Sequence, residues 1–260
     1  ILWILVVVLS AIFITAFVVS LKKPSMDRDF AEPFKILADV TVSSSTISIK
    51  NIRDWRYAKD EVISKDYYDD SFDVKKLDKA YLLFNPFGQW EGVAHSFFVF
   101  EFTDGKSVSI SIEARKEVGE EYSAVTGVFN EYEIWYGIGS KQDFLGQRAL
   151  FYEEDLYEYP LLIKKASAQK LFLDMVTIAE SLETTPGFYN TLTSNCTNLL
   201  ADSANRVKKG SIPFHYSRLF TGYADNQLYD LGFIPNDKPF EEIYKEARID
   251  EEIRSGVYEF

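Results

Sequence analysis

The sequence has a single cysteine, Cys196, which excludes an internal disulfide and a cysteine-built metal cage. Only two histidines, His95 and His215, are available as an imidazole base. Lys and Arg form no cluster and the formal charge is -12, so no extended phosphate-binding surface and no nucleic-acid partner is expected. After Leu21 there is no second apolar run of membrane length, no internal repeat and no long low-complexity stretch. No residue pattern calls for a metal or a cofactor.

What is present begins with Ile1 to Leu21, uncharged and almost wholly apolar, long enough as a helix to cross a hydrocarbon core of roughly 30 Å. Residues 1–21 therefore read as a transmembrane anchor. A cleaved signal peptide fits less well because Lys22-Lys23-Pro24 leaves no clean cleavage site, and a buried core helix is the remaining alternative. Taken alone, Lys22 and Lys23 favour a cytoplasmic side for the residues C-terminal to them. Residues 22–45, with Pro24, Pro33 and Ser43-Ser44-Ser45, predict a juxtamembrane linker holding one short helix around Phe34 to Ala38. Residues 46–260 predict one domain around one sizeable core.

Within that domain, residues 46–140 are rich in β-branched and aromatic side chains, with turn signals at Asn85-Pro86, Asp104-Gly105 and Gly119. From Lys165 the period changes: Leu171, Phe172, Met175, Val176, Ala179 and Leu182 share one helical face, closed by Pro186-Gly187. A second helix carries Leu199, Leu200, Ala204 and Val207 inward and stops at Gly210, and a short acidic helix is expected near Phe240 to Ala247. Strands in one half and helices in the other predict an α+β fold, an antiparallel sheet with packed helices.

Cys196 lies in Ser194-Asn195-Cys196-Thr197, where Ser194 or Asn195 can cap the following helix and place the thiol in its first turn. Unpaired N–H groups and the helix dipole would there stabilise a thiolate and favour a nucleophile. The alternative is a buried structural cysteine. A base has to activate the thiol, and His95 is the better placed histidine: its strand, Val93 to Phe100, is so apolar that the ring needs a polar partner. His215 is expected as an ordinary loop residue.

Glu113 is the candidate to orient the ring, subject to register. A two-residue Asp-Gly turn sets His95 opposite Ala114, whereas a three-residue loop with a left-handed Gly105 sets it opposite Glu113. The second register is favoured because it sorts Ser109, Ser111 and Glu113 from Val108, Ile110 and Ile112. Asn195-Cys196-Thr197 also matches a glycosylation sequon, read here as chance. The run Arg53-Asp54-Trp55-Arg56-Tyr57 reads as a salt-bridged edge strand or as an anionic head-group site.

Several long motifs carry a resemblance: Ile52 to Tyr57, the His95 strand, Val108 to Glu117, Gly119 to Tyr122, and Phe188 to Thr197. In this order they resemble the bacterial Lnb N-terminal periplasmic domain family. The order of histidine strand and Asn-Cys helix start is also similar to permuted papain-like, NlpC-type thiol enzymes. The resemblance implies an extracytoplasmic thiol enzyme at the bacterial inner membrane, and for the Lnb branch acyl transfer from a phospholipid to a lipoprotein amine. It implies Cys196 as nucleophile, His95 as base and Glu113 as orienting group; for such a nucleophile, backbone N–H groups at the helix start are expected as an oxyanion hole, with Asn195, Tyr189 and Arg115 as candidate residues near substrate or oxyanion. Where the family often has an acidic and basic pair, this chain reads Gly139-Ser140-Lys141-Gln142-Asp143. The expected partners are membrane lipid and a lipoprotein or, in a peptidase reading, a cell-wall peptide; a non-catalytic envelope module is the third reading.

Overall fold

In the computed structural model, residues 2–260 are described, except for the side chains of Leu2, Leu5, Val8, Ala11, Ile12 and Ala16. In chain order the helices are α1 (Leu2–Leu21), α2 (Glu32–Lys35), α3 (Ala124–Gly127), α4 (Lys141–Gly146), α5 (Lys165–Leu182), α6 (Cys196–Val207), α7 (Ala224–Asp230), α8 (Phe240–Glu246) and α9 (Asp250–Ser255). The strands are β1 (Asp39–Ser43), β2 (Thr46–Ala58), β3 (Glu61–Asp73), β4 (Leu77–Pro86), β5 (Ala94–Phe102), β6 (Ser107–Arg115), β7 (Tyr132–Gly139), β8 (Tyr157–Pro160) and β9 (Phe188–Tyr189). They form one nine-stranded sheet in the order β1-β2-β7-β6-β5-β4-β8, with β3 added to β2 and β9 to β7.

The α+β expectation meets two corrections. The sheet is mixed rather than antiparallel, because β2 meets β7 in parallel at Arg53 and Gly139. A methyl group on Gly139 would fall 3.0 Å from the Arg53 carbonyl oxygen and 2.7 Å from the Phe144 ring, so this close approach requires glycine. The second correction concerns the anchor. Among the described residues no helix is long and apolar enough to cross a membrane, so the transmembrane helix preceding the domain is not supported. Nor is α1 a core helix, since Trp3, Phe13 and Phe17 are exposed.

The segment expected as a linker contributes to the domain. β1 pairs with β2 ahead of Thr46, Phe30 bridges to Glu117, and Phe30 and Phe34 are buried. The helix expected near Phe34 to Ala38 lies a little earlier, at Glu32–Lys35.

Both faces of the central strands are covered, which is why β5 reads as apolar throughout. One face sends Phe98, Phe100, Val108, Ile110 and Ile112 against Leu171, Phe172, Met175 and Val176 of α5 and Leu200 of α6. The opposite face packs Leu83, Phe97, Val99 and Trp135 against Phe34, Phe144, Leu145 and Ile253. Phe30 and Phe34 contribute roughly 2 kcal/mol each to that second core if the transfer value for a buried side chain applies.

The second face also buries charge. Arg53 forks onto Asp143, with Nε and one terminal nitrogen each 2.9 Å from a carboxylate oxygen, and Trp55 N–H and the Tyr57 hydroxyl donate to the same carboxylate. The guanidinium lies over the rings of Trp55, Trp135 and Phe144. The run from Arg53 to Tyr57 is thus salt-bridged but lies inside the sheet, not at its edge. It also gives Asp143 its role: a short hydrogen-bonded post that fixes α4 to β2. Asp143→Asn leaves a buried guanidinium without its counter-charge, and a destabilisation of about 3–5 kcal/mol is expected by urea denaturation. A loss under about 1 kcal/mol would show that the post carries no such weight.

Candidate functional site

The β5–β6 hairpin closes through Thr103-Asp104-Gly105, with Gly105 at φ +83° and its N–H donating to the Phe102 carbonyl. This is the three-residue loop, and it sets Phe97 opposite Ser111 and Val99 opposite Ser109. Two residues further along the same register, His95 stands opposite Glu113. The paired ladder ends at Phe97 and Ser111, so the strands are no longer zipped where the two functional groups face each other.

There a chain of polar contacts crosses the open end of the hairpin. His95 Nε2 is 2.7 Å from Ser111 Oγ, the Ser111 hydroxyl donates to Glu113 Oε1 at 2.8 Å, and Glu113 Oε1 is 3.6 Å from His95 Nε2. Arg148 donates to the same carboxylate oxygen at 2.7 Å. The imidazole stacks on Phe97 with 5.8 Å between ring centroids, which holds its plane. Arg148 comes from a single π-helical turn, Gln147–Phe151, that continues α4. Such turns are common at functional positions because the widened backbone re-aims one side chain.

Burial disfavours the charged form of His95, and the Arg148 charge acts in the same direction, so its pKa is pushed down to about 4 despite Glu113. For Glu113 burial works upward, but Arg148, then His95 and the Ser111 hydrogen bond outweigh it and hold the carboxyl at about 2. The resting arrangement is a neutral imidazole beside an ionised carboxylate and a guanidinium.

Cys196 begins α6, as expected, with Asn195 as the cap accepting from Asn198 N–H at 2.9 Å. The thiol is buried at 3% exposure and, among the described residues, is unpaired with another cysteine. Its pKa is raised: burial outweighs the Ser96 N–H and the Thr197 hydroxyl and N–H that favour the thiolate, and the Glu113 charge adds to the rise. The expected lowering by the helix terminus is therefore overcome by desolvation. Sγ and the His95 ring line one cavity of about 320 Å³ together with Glu113, Arg148, Tyr122, Tyr189 and Glu154. Among the described residues the hydrogen-bond-range contact of Sγ is Thr197 Oγ1 at 4.0 Å, and no hydrogen bond joins Sγ to the ring.

Tyr189 stands beside the thiol, its phenol pKa raised well above the usual range by burial and by the nearby Cys196. Tyr122 packs edge-on against it at 6.1 Å between ring centroids. Asn195 lines the cavity, but its amide donates to the Thr191 and Arg218 carbonyls at 2.8 Å each. An amide so placed and 2% exposed fits the reading of the sequon as chance. Arg115 is turned to the N-terminal segment, donating to the Phe34 carbonyl and lying 3.6 Å over the Phe30 ring. His215 is half-buried and caps a short turn through Ser217 N–H.

Sequence reasoning missed Arg148 and the bridging role of Ser111. Ser111 carried a signal, a polar residue alternating with apolar ones on the His95 face. Arg148 carried none, since nothing local ties it to a carboxylate far upstream. A second cavity, of about 120 Å³, lies between α6 and the β4–β5 pair. Leu82, Phe98, Leu171, Leu200 and Ile212 line it, and Ser96 and Thr197, the neighbours of the thiol, reach into it.

Fold and site together define an α+β domain in which a buried thiol shares a cavity with a histidine held by a hydroxyl and an ionised carboxylate. The family model of the Lnb N-terminal periplasmic domain matches residues 64–222, more than half of the chain's 260, and the chain belongs to that family. The match spans every member of the polar chain as well as Cys196, and a periplasmic domain family agrees with an extracytoplasmic location. No curated protein and no solved structure matches the chain, so the similarity to permuted papain-like enzymes is not confirmed.

The His95 shift fixes a pH dependence. Its folded pKa, about 4, lies below the usual 6.5, so the unfolded chain binds the extra proton and the stabilisation is complete above pH 6.5 and lost as pH falls through 4. The urea midpoint should fall between pH 7 and pH 4, by the equivalent of no more than about 3 kcal/mol. In His95→Gln the part of that decline above pH 5 should vanish. A His95→Gln profile parallel to that of the parent would exclude a buried neutral imidazole.

Proposed function

We propose that this domain is an extracytoplasmic thiol-dependent acyl-transfer enzyme. The observation that carries the reading is that His95, Glu113 and Arg148, joined through Ser111, open on one cavity with Cys196, at the first turn of a twelve-residue helix. Cys196 is the nucleophile, His95 the general base, and Glu113 orients the base through Ser111. Because thiol and imidazole are both held neutral, the proton leaves Sγ for the ring as sulfur attacks the ester carbonyl carbon. The alkoxide leaving group then takes that proton and departs, leaving an acyl-cysteine. An amine attacks the thioester in turn and regenerates the thiol.

The negative charge on the tetrahedral oxygen calls for donors near Sγ, and the Ser96 and Thr197 N–H groups and the Thr197 hydroxyl, which already favour the thiolate, can serve, with the Tyr189 hydroxyl beside the thiol. A lipid ester is the favoured donor over a cell-wall peptide because of the apolar cavity flanked by Ser96 and Thr197, whose lining suits an alkyl segment. The acceptor in this reading is a lipoprotein or other amine.

One observation favours a second reading, a non-catalytic envelope module. The thiol's side-chain hydrogen-bond contact is with Thr197 and not with His95, although catalytic hydrogen bonds are often loose before substrate binds. Intact-mass analysis after incubation with phospholipid vesicles distinguishes the two. The parent should gain the mass of one acyl chain, lost in Cys196→Ser and slowed at least about a hundredfold in His95→Ala. An adduct from muropeptides alone would make the domain a peptidase, and no adduct from either source would leave the non-catalytic module.

A further inference from the structure

The polar chain behind His95 has a direction, and the direction selects one of the two neutral forms of the ring. Glu113 is ionised, held so by Arg148 at 2.7 Å, and an ionised carboxylate accepts hydrogen bonds without donating any. The Ser111 hydroxyl, 2.8 Å from Glu113 Oε1, must therefore spend its one hydrogen on that oxygen. What Ser111 presents to His95 is then a lone pair, and the 2.7 Å contact forms only if Nε2 carries the proton. We propose that Ser111 and Arg148 are positioning residues that lock His95 as the Nε2–H tautomer, leaving the Nδ1 lone pair to receive the proton of Cys196. The stacked Phe97 ring fixes the plane in which this choice operates.

In the acyl-transfer reading, the polarity of the chain decides which nitrogen is the base. With the opposite tautomer Nδ1 would carry a hydrogen and could accept nothing from sulfur, while Nε2 would have no donor to meet at Ser111. The single hydroxyl does what a directly bonded carboxylate does elsewhere: it passes the preference of the Glu113 charge to the ring. The direct approach of Glu113 to Nε2, at 3.6 Å, is too long to do this alone.

The mechanistic part of this inference rests on the thiol-enzyme reading, whereas the tautomer itself does not and can be measured without substrate. With only two histidines in the chain, a His215→Gln background leaves His95 as the only imidazole to be followed by nitrogen-15 NMR. At pH 7 the ring should show a protonated Nε2 and an unprotonated Nδ1. In the same background, Ser111→Ala should convert the ring to a mixture of tautomers, and Ser111→Thr, which keeps the hydroxyl, should restore the single form. The rate of acyl-adduct formation should fall at least about tenfold in Ser111→Ala and recover in Ser111→Thr. A protonated Nδ1 in the parent, or an unchanged spectrum in a folded Ser111→Ala protein, would overturn the proposal. The Nε2–H form with its Ser111 dependence but no acyl adduct would uphold the tautomer lock and sink the acyl-transfer reading instead.

Discussion

The register of β5 against β6 is the constraint on which the candidate site depends. A strand's side chains alternate faces, so a one-residue slip would send Ser109, Ser111 and Glu113 into the apolar layer under α5 and α6, and Val108 and Ile110 onto the polar face. The loop at Thr103–Gly105, with Gly105 left-handed, prevents that slip by making the hairpin one residue longer than an Asp-Gly turn would. Once the register is fixed, a half-buried carboxylate and a buried imidazole lie side by side, and the rest of this face has to accommodate them. Arg148 supplies the counter-charge, the π-helical turn aims it, and α4, fixed to β2 through Asp143 and Arg53, carries that turn.

Desolvation rather than the helix dipole sets the chemistry of the thiol. A helix start offers partial positive charge, worth a fraction of a kcal/mol to about 2 kcal/mol in favourable cases. Complete removal from water can shift a pKa by several units in the opposite sense. At Cys196 burial dominates, and at His95 burial and Arg148 act together, so neither group is charged at rest. A pair of this kind cannot rest as the thiolate–imidazolium ion pair that an exposed helix start would favour. In the acyl-transfer reading its proton has to move during the attack, which makes the state of the accepting nitrogen consequential.

What could be read from the sequence was local. Asp104-Gly105, together with the alternation of Ser109, Ser111 and Glu113, favoured the hairpin register the structure shows over its one-residue alternative, and helical periodicity bounded α5 and α6. Contacts between distant segments could not be read. Arg148 meets Glu113 only because α4 crosses under the sheet, and the strand at Asp39–Ser43 was hidden in what composition marked as linker. The single parallel contact at Gly139 falls in the same class, since the glycine alone does not say which backbone approaches it. The thiol was misjudged in sign because a cap can be seen in sequence and complete burial cannot.

The two ion pairs of this face, one buried and one half-buried, make little sense as stabilisers. Desolvating a guanidinium and a carboxylate costs several kcal/mol for each ion, and apolar residues of the same volume often serve a core equally well. Their value is geometric: a forked guanidinium admits one orientation of its carboxylate, whereas apolar packing admits many. Arg53 on Asp143 fixes where α4 begins, and that start determines where the π-helical turn ends and where Arg148 reaches Glu113. The charge that keeps Glu113 ionised is thus set by a second pair that touches neither Cys196 nor His95. The site is held from behind, through rigid elements.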